Sequence, residues 1–297
     1  MSVAGNRNYI DGREISGSEL LRLIERAEEL RAGRPEEGGS TLGGKSVALI
    51  FEKPSTRTRI SFEVGVAELG GHPVVLRGDE MQLSRGESVE DTARVLSRFV
   101  SAIVIRSGSH ENVDTLAEYA SVPVVNALTP KFHPCQALAD LQTLRQRFGS
   151  LSGLKLAYVG DGNNVARSLA VAGSLAGVEV RIAAPSGYQV ESEVPAVLTD
   201  DPIEAVDGVD AIYGDVWVSM GDEDTAEQRR ADLAPFRIDG HLLSHARQDT
   251  IVMHCLPAHP GEEITADVLY GDRSAVWDQA ENRLHAQKAL LEYLLAG

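Results

Sequence analysis

The 297 residues carry 44 acidic against 28 basic side chains, a formal net charge of −16, with 43% hydrophobic and 24% charged residues, the balance of a soluble globular chain. That charge opposes nucleic-acid binding, and no apolar run approaches the ~18 residues of a membrane span. Two cysteines, Cys135 and Cys255, are too few for a disulfide framework or a multi-cysteine zinc site, and residues 1–12 are polar where a secretory leader needs an apolar stretch. Secreted, membrane and zinc-ribbon readings are excluded, and a cytoplasmic protein is expected.

In chain order, Ser16 followed by Glu19 forms a capping-box pattern ahead of a helix that keeps Leu20, Ile24 and Ala27 on one face. Residues 46–51 (SVALIF) read as a buried strand and 56–69 as the helix after it. Short strands follow at 73–76, 102–105 and 122–125, with helices over 89–99 and 111–119 between them. A helix over 133–148 closes this half. After Gly149 the alternation restarts, with a strand at 154–159, a helix at 164–176 and strands at 178–183, 210–213 and 251–255. Residues 185–207, rich in Pro, Asp and Glu, resolve into no element. The final stretch, 279–295, is a long amphipathic helix that must pack on something.

Strands alternating with helices imply βα units and a parallel sheet, and the restart implies two of them. The expected fold class is α/β, with two doubly wound parallel-sheet domains joined by interdomain helices. The expected division is 1–132 with the C-terminal segment 277–297 packing back on it, a second domain over 150–275, and a linking helix over 133–149. Ligands of such sheets lie at the carboxyl ends of the strands.

One such end carries Phe51-Glu52-Lys53-Pro54-Ser55-Thr56-Arg57-Thr58-Arg59. Ser55 and Thr56 could simply cap the helix, with the arginines on a solvated face. Hydroxyl, hydroxyl, guanidinium and hydroxyl in succession go beyond what capping requires. At a helix N-terminus they make a site for phosphate or carboxylate. Gly160-Asp161-Gly162 after a strand invites a nucleotide-binding reading, but the third glycine would fall at Val165. Cys255 beside His254 suggests a cysteine nucleophile, yet neighbours on a strand point to opposite faces. His241 and His245, four apart, read as a helix face rather than a metal pair.

FEKPSTRTR resembles the carbamoyl-phosphate motif of the transcarbamoylase family, and similar segments follow in order along the chain. Met81-Gln82-Leu83-Ser84-Arg85-Gly86-Glu87-Ser88 is similar to the family's loop, Arg106 to its lone arginine after a strand, and His133-Pro134-Cys135-Gln136 to its HPxQ helix. Asp215-Val216-Trp217-Val218-Ser219-Met220-Gly221, His254-Cys255-Leu256-Pro257-Ala258, the pair Asn163-Asn164 and Glu281-Asn282-Arg283 resemble the ornithine branch. Asp222, Glu223 and Asp224 beside that loop add negative charge that suits an amino acid with ammonium groups. Two departures stand out. His259-Pro260-Gly261 replaces the family's usual His-Arg-Gly, and the segment 185–201 is shorter than usual.

The resemblance implies attack of the δ-amine of L-ornithine on carbamoyl phosphate, giving citrulline and phosphate in arginine metabolism. It implies Ser55, Thr56, Arg57, Thr58, Gln82, Arg106, His133, Pro134, Cys135, Gln136, Cys255, Leu256 and Arg283 at carbamoyl phosphate. It implies Asn164, Asp215, Ser219 and Met220 at ornithine, and Arg106, His133, Cys255 and Asp215 in the chemistry. It further implies a homotrimer or a multiple of trimers, with Gln82 reaching a neighbouring subunit. A carbamoyltransferase for another amine or a modified ornithine, and a catalytically silent regulatory homologue, are the alternatives.

Overall fold

Short runs of aliphatic residues, too short for helices and buried on both faces, become the central strands of two parallel sheets. The computed structural model describes residues 7–82, 86–219 and 223–295. By its internal contacts the chain divides into two compact units, Met1–Gln142 with Asn282–Gly297, and Thr143–Glu281.

The first unit opens with helix α1 (Gly17–Ala32), whose capping box forms as its sequence predicts. Ser16 accepts from the Glu19 N–H, and the Glu19 carboxylate accepts from the Ser16 N–H. Strands β1 (Ser46–Phe51), β2 (His72–Arg77), β3 (Ala102–Arg106) and β4 (Val124–Leu128) then alternate with α2 (Thr56–Glu68), α3 (Val89–Leu96) and α4 (His110–Tyr119). All pair in parallel, in the order β2-β1-β3-β4. The chain therefore winds outward from β1 to β2 and returns across it to β3. The strand order reverses between β1 and β3, which is where such sheets open a ligand crevice. One face of the sheet packs Ala48, Ile50, Ile103, Ile105 and Val124 against Ala93, Val113 and Leu116.

Helix α5 (Pro134–Phe148) runs across the boundary, so the helix expected to link the domains is divided between the two units. The second unit holds β5 (Lys155–Val159), α6 (Asn164–Ala176), β6 (Glu179–Ala183), β7 (Val197–Thr199), α7 (Pro202–Val206), β8 (Ala211–Gly214), α8 (Ala226–Leu233), α9 (Gly240–His245), β9 (Ile251–His254) and α10 (Ala266–Leu269). Its strands, also parallel, run β7-β6-β5-β8-β9, with the reversal between β5 and β8. The doubly wound α/β class is thus realised twice.

Strand β7 and the short helices α7, α8 and α10 have no counterpart in the sequence reading, whereas α9 carries the helix face expected of His241 and His245. β7 is a three-residue edge strand whose Val197 and Leu198 are exposed, so it shows no burial alternation to detect. α7 does carry a readable start, with Asp201 accepting from the N–H groups of Ile203 and Glu204 and Pro202 at the first turn. His241 and His245 lie on α9 with their rings edge to face, 4.9 Å apart.

The last helix, α11 (Val276–Leu295), also spans both units. Within the first unit its C-terminal part is tied down by charge. The fully buried Lys288 ammonium reaches Glu68 at 2.9 Å, Arg26 reaches Glu292 at 2.6 Å, and Lys45 donates to the Leu295 carbonyl at 2.5 Å.

Candidate functional site

In the first unit the loops after β1 and β3 flank the strand-order reversal. Phe51 and Arg106 are register partners at its edge. Between β3 and β4 the register slips, so that Ile105 pairs with Asn126 but Arg106 with Leu128, leaving Ala127 as the extra residue of a bulge. Bulges of this kind re-aim side chains at sheet ends. Arg106 is half-buried, and its Nη1 donates to the Ser55 hydroxyl at 3.0 Å.

Ser55 occupies the N-cap of α2 with extended backbone, yet its side chain makes no capping bond. Simple capping therefore does not account for it. The first turn of α2 also lacks acidic residues, whereas α1, α3 and α4 each carry them. The amide groups and positive dipole end of a 13-residue helix are thus left to an anion, with Thr56 and Arg57 exposed beside them.

Thr58 is buried and its hydroxyl accepts from Arg283 Nη2 at 3.2 Å. Arg283 Nη1 donates to Gln136 Oε1 at 2.5 Å, and Gln136 in turn donates to Asp140 at 2.8 Å. The Gln287 amide, with its oxygen turned to Arg283, accepts from Nε at 3.2 Å. Three side chains, from α2, α5 and α11, therefore hold one guanidinium, a fork that lysine could not reproduce. His133 precedes Pro134, the first residue of α5, where a missing N–H is harmless. Burial, with Arg283 and Arg106 adding positive charge, holds the His133 imidazole well below its usual pKa, so it is neutral at pH 7.

Cys135 differs from its neighbours. Its thiol is fully buried, bonds to the Asn126 carbonyl at 3.4 Å and is pushed up to about 12 by burial. That side chain belongs to the core, leaving only its backbone for a ligand. Glu52, not singled out by the sequence, clamps the two loops together. Its carboxylate accepts from the Ser107 hydroxyl and the Gly108 N–H, both at 2.8 Å. Gln82 is exposed on the loop after β2, while Leu83, Ser84 and Arg85 lie outside the described residues.

In the second unit the site residues again gather at the reversal, here β5/β8. Asp215, buried just past β8, accepts from three donors: Asn163 Nδ2 at 2.7 Å, the Val216 N–H at 2.8 Å and Cys255 Sγ at 2.8 Å. Asn163 is a second residue the sequence reading undervalued. Its Oδ1 caps α6 through the Val165 and Ala166 N–H groups and also accepts from the buried Tyr158 hydroxyl at 3.1 Å. An asparagine just before a helix was signal enough for that cap. Burial and nearby Asp215 push the Tyr158 phenol well up, so it remains a donor. Asn164 and Ser219 are half-buried nearby in sequence, and Met220 lies outside the described residues with Gly221 and Asp222.

Arg229 of α8 braces this edge. It donates to the Trp217 carbonyl at 2.7 Å and pairs with Asp161, its guanidinium stacked over the Tyr188 ring. Leu256 adopts φ +55°, which a branched side chain disfavours. Its N–H donates to His254 Nδ1 at 2.9 Å, and His254 Nε2 faces Glu263 at 3.2 Å in a fully buried pair. His254 and Cys255 thus point to different surroundings, as strand alternation requires.

The loop joining β5 to α6 leaves no room for a side chain at Gly162. A Cβ there would sit 2.5 Å from the Tyr188 carbonyl oxygen and 2.7 Å from the Val190 nitrogen, both backbone atoms that cannot swing away. Gly162→Ala should therefore destabilise the protein by about 1–3 kcal/mol and displace Asn163. A thermal unfolding midpoint equal to wild type would contradict that packing.

Comparison with known proteins matches the carbamoyl-P binding domain of the aspartate/ornithine carbamoyltransferases to residues 7–146, and their Asp/Orn binding domain to residues 152–294. The ornithine carbamoyltransferase of Acidothermus cellulolyticus is 53% identical, over 97% of this chain and 96% of its own. Among solved structures, the Pyrococcus furiosus ornithine carbamoyltransferase aligns with a TM-score of 0.94 at 47% identity, covering 100% of this chain and 99% of that one. The Thermus thermophilus enzyme aligns with a TM-score of 0.91 at 46% identity, covering 97% and 99%.

Proposed function

The chain belongs to the aspartate/ornithine carbamoyltransferase family, and from that premise we infer that it transfers the carbamoyl group of carbamoyl phosphate to the δ-amine of L-ornithine. The observation that carries the reading is Arg106 joined to Ser55 at the uncapped N-terminus of α2. A guanidinium, hydroxyls and free amide groups converge there where the phosphate of the substrate requires them.

Ser55, Thr56, Arg57, Thr58 and Arg106 hold the phosphate, with His133, Gln136 and Arg283 at the carbamoyl group; Pro134 and Cys135 contribute backbone. As nitrogen attacks the carbonyl carbon, negative charge grows on its oxygen. Neutral His133 and cationic Arg106 stabilise that oxygen, and such donors are worth a few kcal/mol each. The tetrahedral intermediate then expels phosphate as its C–O bond breaks, and the departing phosphate takes the surplus proton of the attacking nitrogen. Asp215, Asn164, Ser219 and Met220 take the amino-acid end of ornithine, the carboxylate of Asp215 pairing with an ammonium group. Cys255, held on Asp215, faces the reacting amine, while Leu256 contributes to the carbamoyl side with Arg283. The chemistry needs no metal or cofactor, because carbamoyl phosphate is already activated.

Carbamoyl transfer assayed with ornithine, putrescine, acetylornithine and aspartate as acceptors tests the reading. Ornithine should exceed the others by orders of magnitude. A different preferred amine, or no transfer at all, overturns it in favour of another carbamoyltransferase or a silent homologue. A second expectation concerns pH. The attacking amine must be neutral, and a lysine-like amine titrates near ~10.4. His133, whose pKa is held well below 6.5, loses no proton above pH 7. The rate should therefore climb from pH 7 into the alkaline range as the amine deprotonates. A profile that falls over that range would contradict amine attack.

A cytoplasmic setting fits the two free thiols, Cys135 and Cys255. No helix among the described residues is long and apolar enough to cross a membrane. For assembly we favour a ring of at least three chains, in which exposed Gln82 donates to a neighbour's phosphate. Mixing inactive Gln82→Ala and Arg106→Ala proteins, dissociating them mildly and letting them reassociate should restore part of the activity. No recovery, or a monomeric mass, would refute the shared site.

A further inference from the structure

We propose that the turn after β9 holds a site for a divalent transition-metal ion, built from His259, Glu262 and Glu263. Ligand atoms of these three side chains all lie within 4.8 Å of one another. The turn is held in place before any ion arrives. The His259 N–H donates to Glu263 Oε1 at 2.6 Å, the Glu262 N–H to the His259 carbonyl at 2.8 Å, and the Gly261 N–H to the Ile264 carbonyl at 2.8 Å. Pro260, between His259 and Gly261, adds a fixed φ to the turn and no charge to the cluster.

The second observation is the state of Glu263. The residue is 1% exposed; its Oε1 accepts from the His259 N–H and lies 3.2 Å from His254 Nε2. Its Oε2 is buried without a hydrogen bond and faces His259 Nδ1 at 3.9 Å. A buried carboxylate oxygen left without a donor is costly. Two ligand atoms about 3.9 Å apart span an ion with bonds near ~2.1 Å to each. One imidazole and two carboxylates supply two negative charges to a dication and suit manganese through zinc. Half-exposed His259 leaves one side open to water. Arg230 already sits on Glu262 at 3.0 Å, but it is 46% exposed and free to turn toward solvent.

Manganese is the discriminating probe, because a hard ion has little affinity for the Cys255 thiol. The whole protein is titrated with Mn2+ and free ion is read by electron paramagnetic resonance. Wild type and Cys255→Ser should each take up one ion per chain. His259→Ala, which alters an exposed side chain, should weaken uptake by roughly 100-fold, since even outer partners of metal ligands are worth roughly 10–100-fold. Glu262→Gln should weaken it as well. No uptake by wild type, equal uptake by His259→Ala, or loss in Cys255→Ser alone would each overturn the site. Because binding rather than activity is read, the outcome stands apart from the carbamoyl-transfer reading.

Discussion

Replacing Arg106 with alanine should lower kcat/KM for carbamoyl phosphate by roughly 10²–10³-fold, the range seen when one donor to a developing oxyanion is removed. Arg106 ends β3 and is aimed by the adjoining bulge, so its guanidinium bonds the Ser55 hydroxyl from across the strand-order reversal. At ~4 Å and an effective dielectric of about 20, a guanidinium attracts a unit charge by about 4 kcal/mol before desolvation. Most of that is lost in the variant. Lysine restores a point charge but not the fork, and Arg106→Lys should recover only part of the rate. Ser55→Ala should cost less alone, and the double variant should fall short of the summed effects because the two groups act as a pair. The fold should survive, since β3 is held to β1 and β4 by backbone bonds. Circular dichroism like wild type, with activity also like wild type, would remove Arg106 from the site.

The global charge does not work against such a site. At cellular salt the Debye length is about 8 Å, so distant carboxylates are screened while the arginines nearby are not. Composition therefore argues against a nucleic-acid surface without arguing against a phosphorylated substrate.

What could be read from the sequence follows from how locally each feature is encoded. β1 is a six-residue apolar run and was found with its observed bounds. α1 announces its own start in the Ser16–Glu19 box. β7, exposed at a sheet edge, offers no such pattern, and its pairing comes from β6 alone. The site divides the same way. The residues proposed to meet ligand sit in contiguous motifs, FEKPSTRTR and HCLP, which a sequence displays whole. Residues that hold them in place act across the chain and are not displayed so. Glu52 reaches Ser107 and Gly108, Asn163 reaches Asp215 and Arg229 reaches Asp161, contacts separated by more than 50 residues. Cys135 shows the converse. It lies inside a motif, yet its thiol faces the core, which only the packing around Asn126 reveals.

The largest effect in the second unit is expected for Asp215→Asn. Three donors converge on the two oxygens of Asp215, from Asn163, the Val216 backbone and Cys255. An asparagine amide can turn its oxygen to one side only. Its NH2 group then meets a donor on the other side, and the negative charge proposed to pair with ornithine is gone. Truncating one partner of a buried, hydrogen-bonded charge pair costs about 2–5 kcal/mol, or roughly 30- to 5,000-fold in kcat/KM for ornithine. Carbamoyl phosphate, whose phosphate end is assigned to groups of the other unit, should bind with little change in affinity by calorimetry. Cys255→Ser keeps a donor to Asp215 and should be milder than Cys255→Ala, which leaves Asp215 Oδ1 with the Val216 N–H alone. If Asp215→Asn weakened both substrates equally, the residue would be a structural support. Unchanged ornithine kinetics would take it out of the amino-acid site altogether.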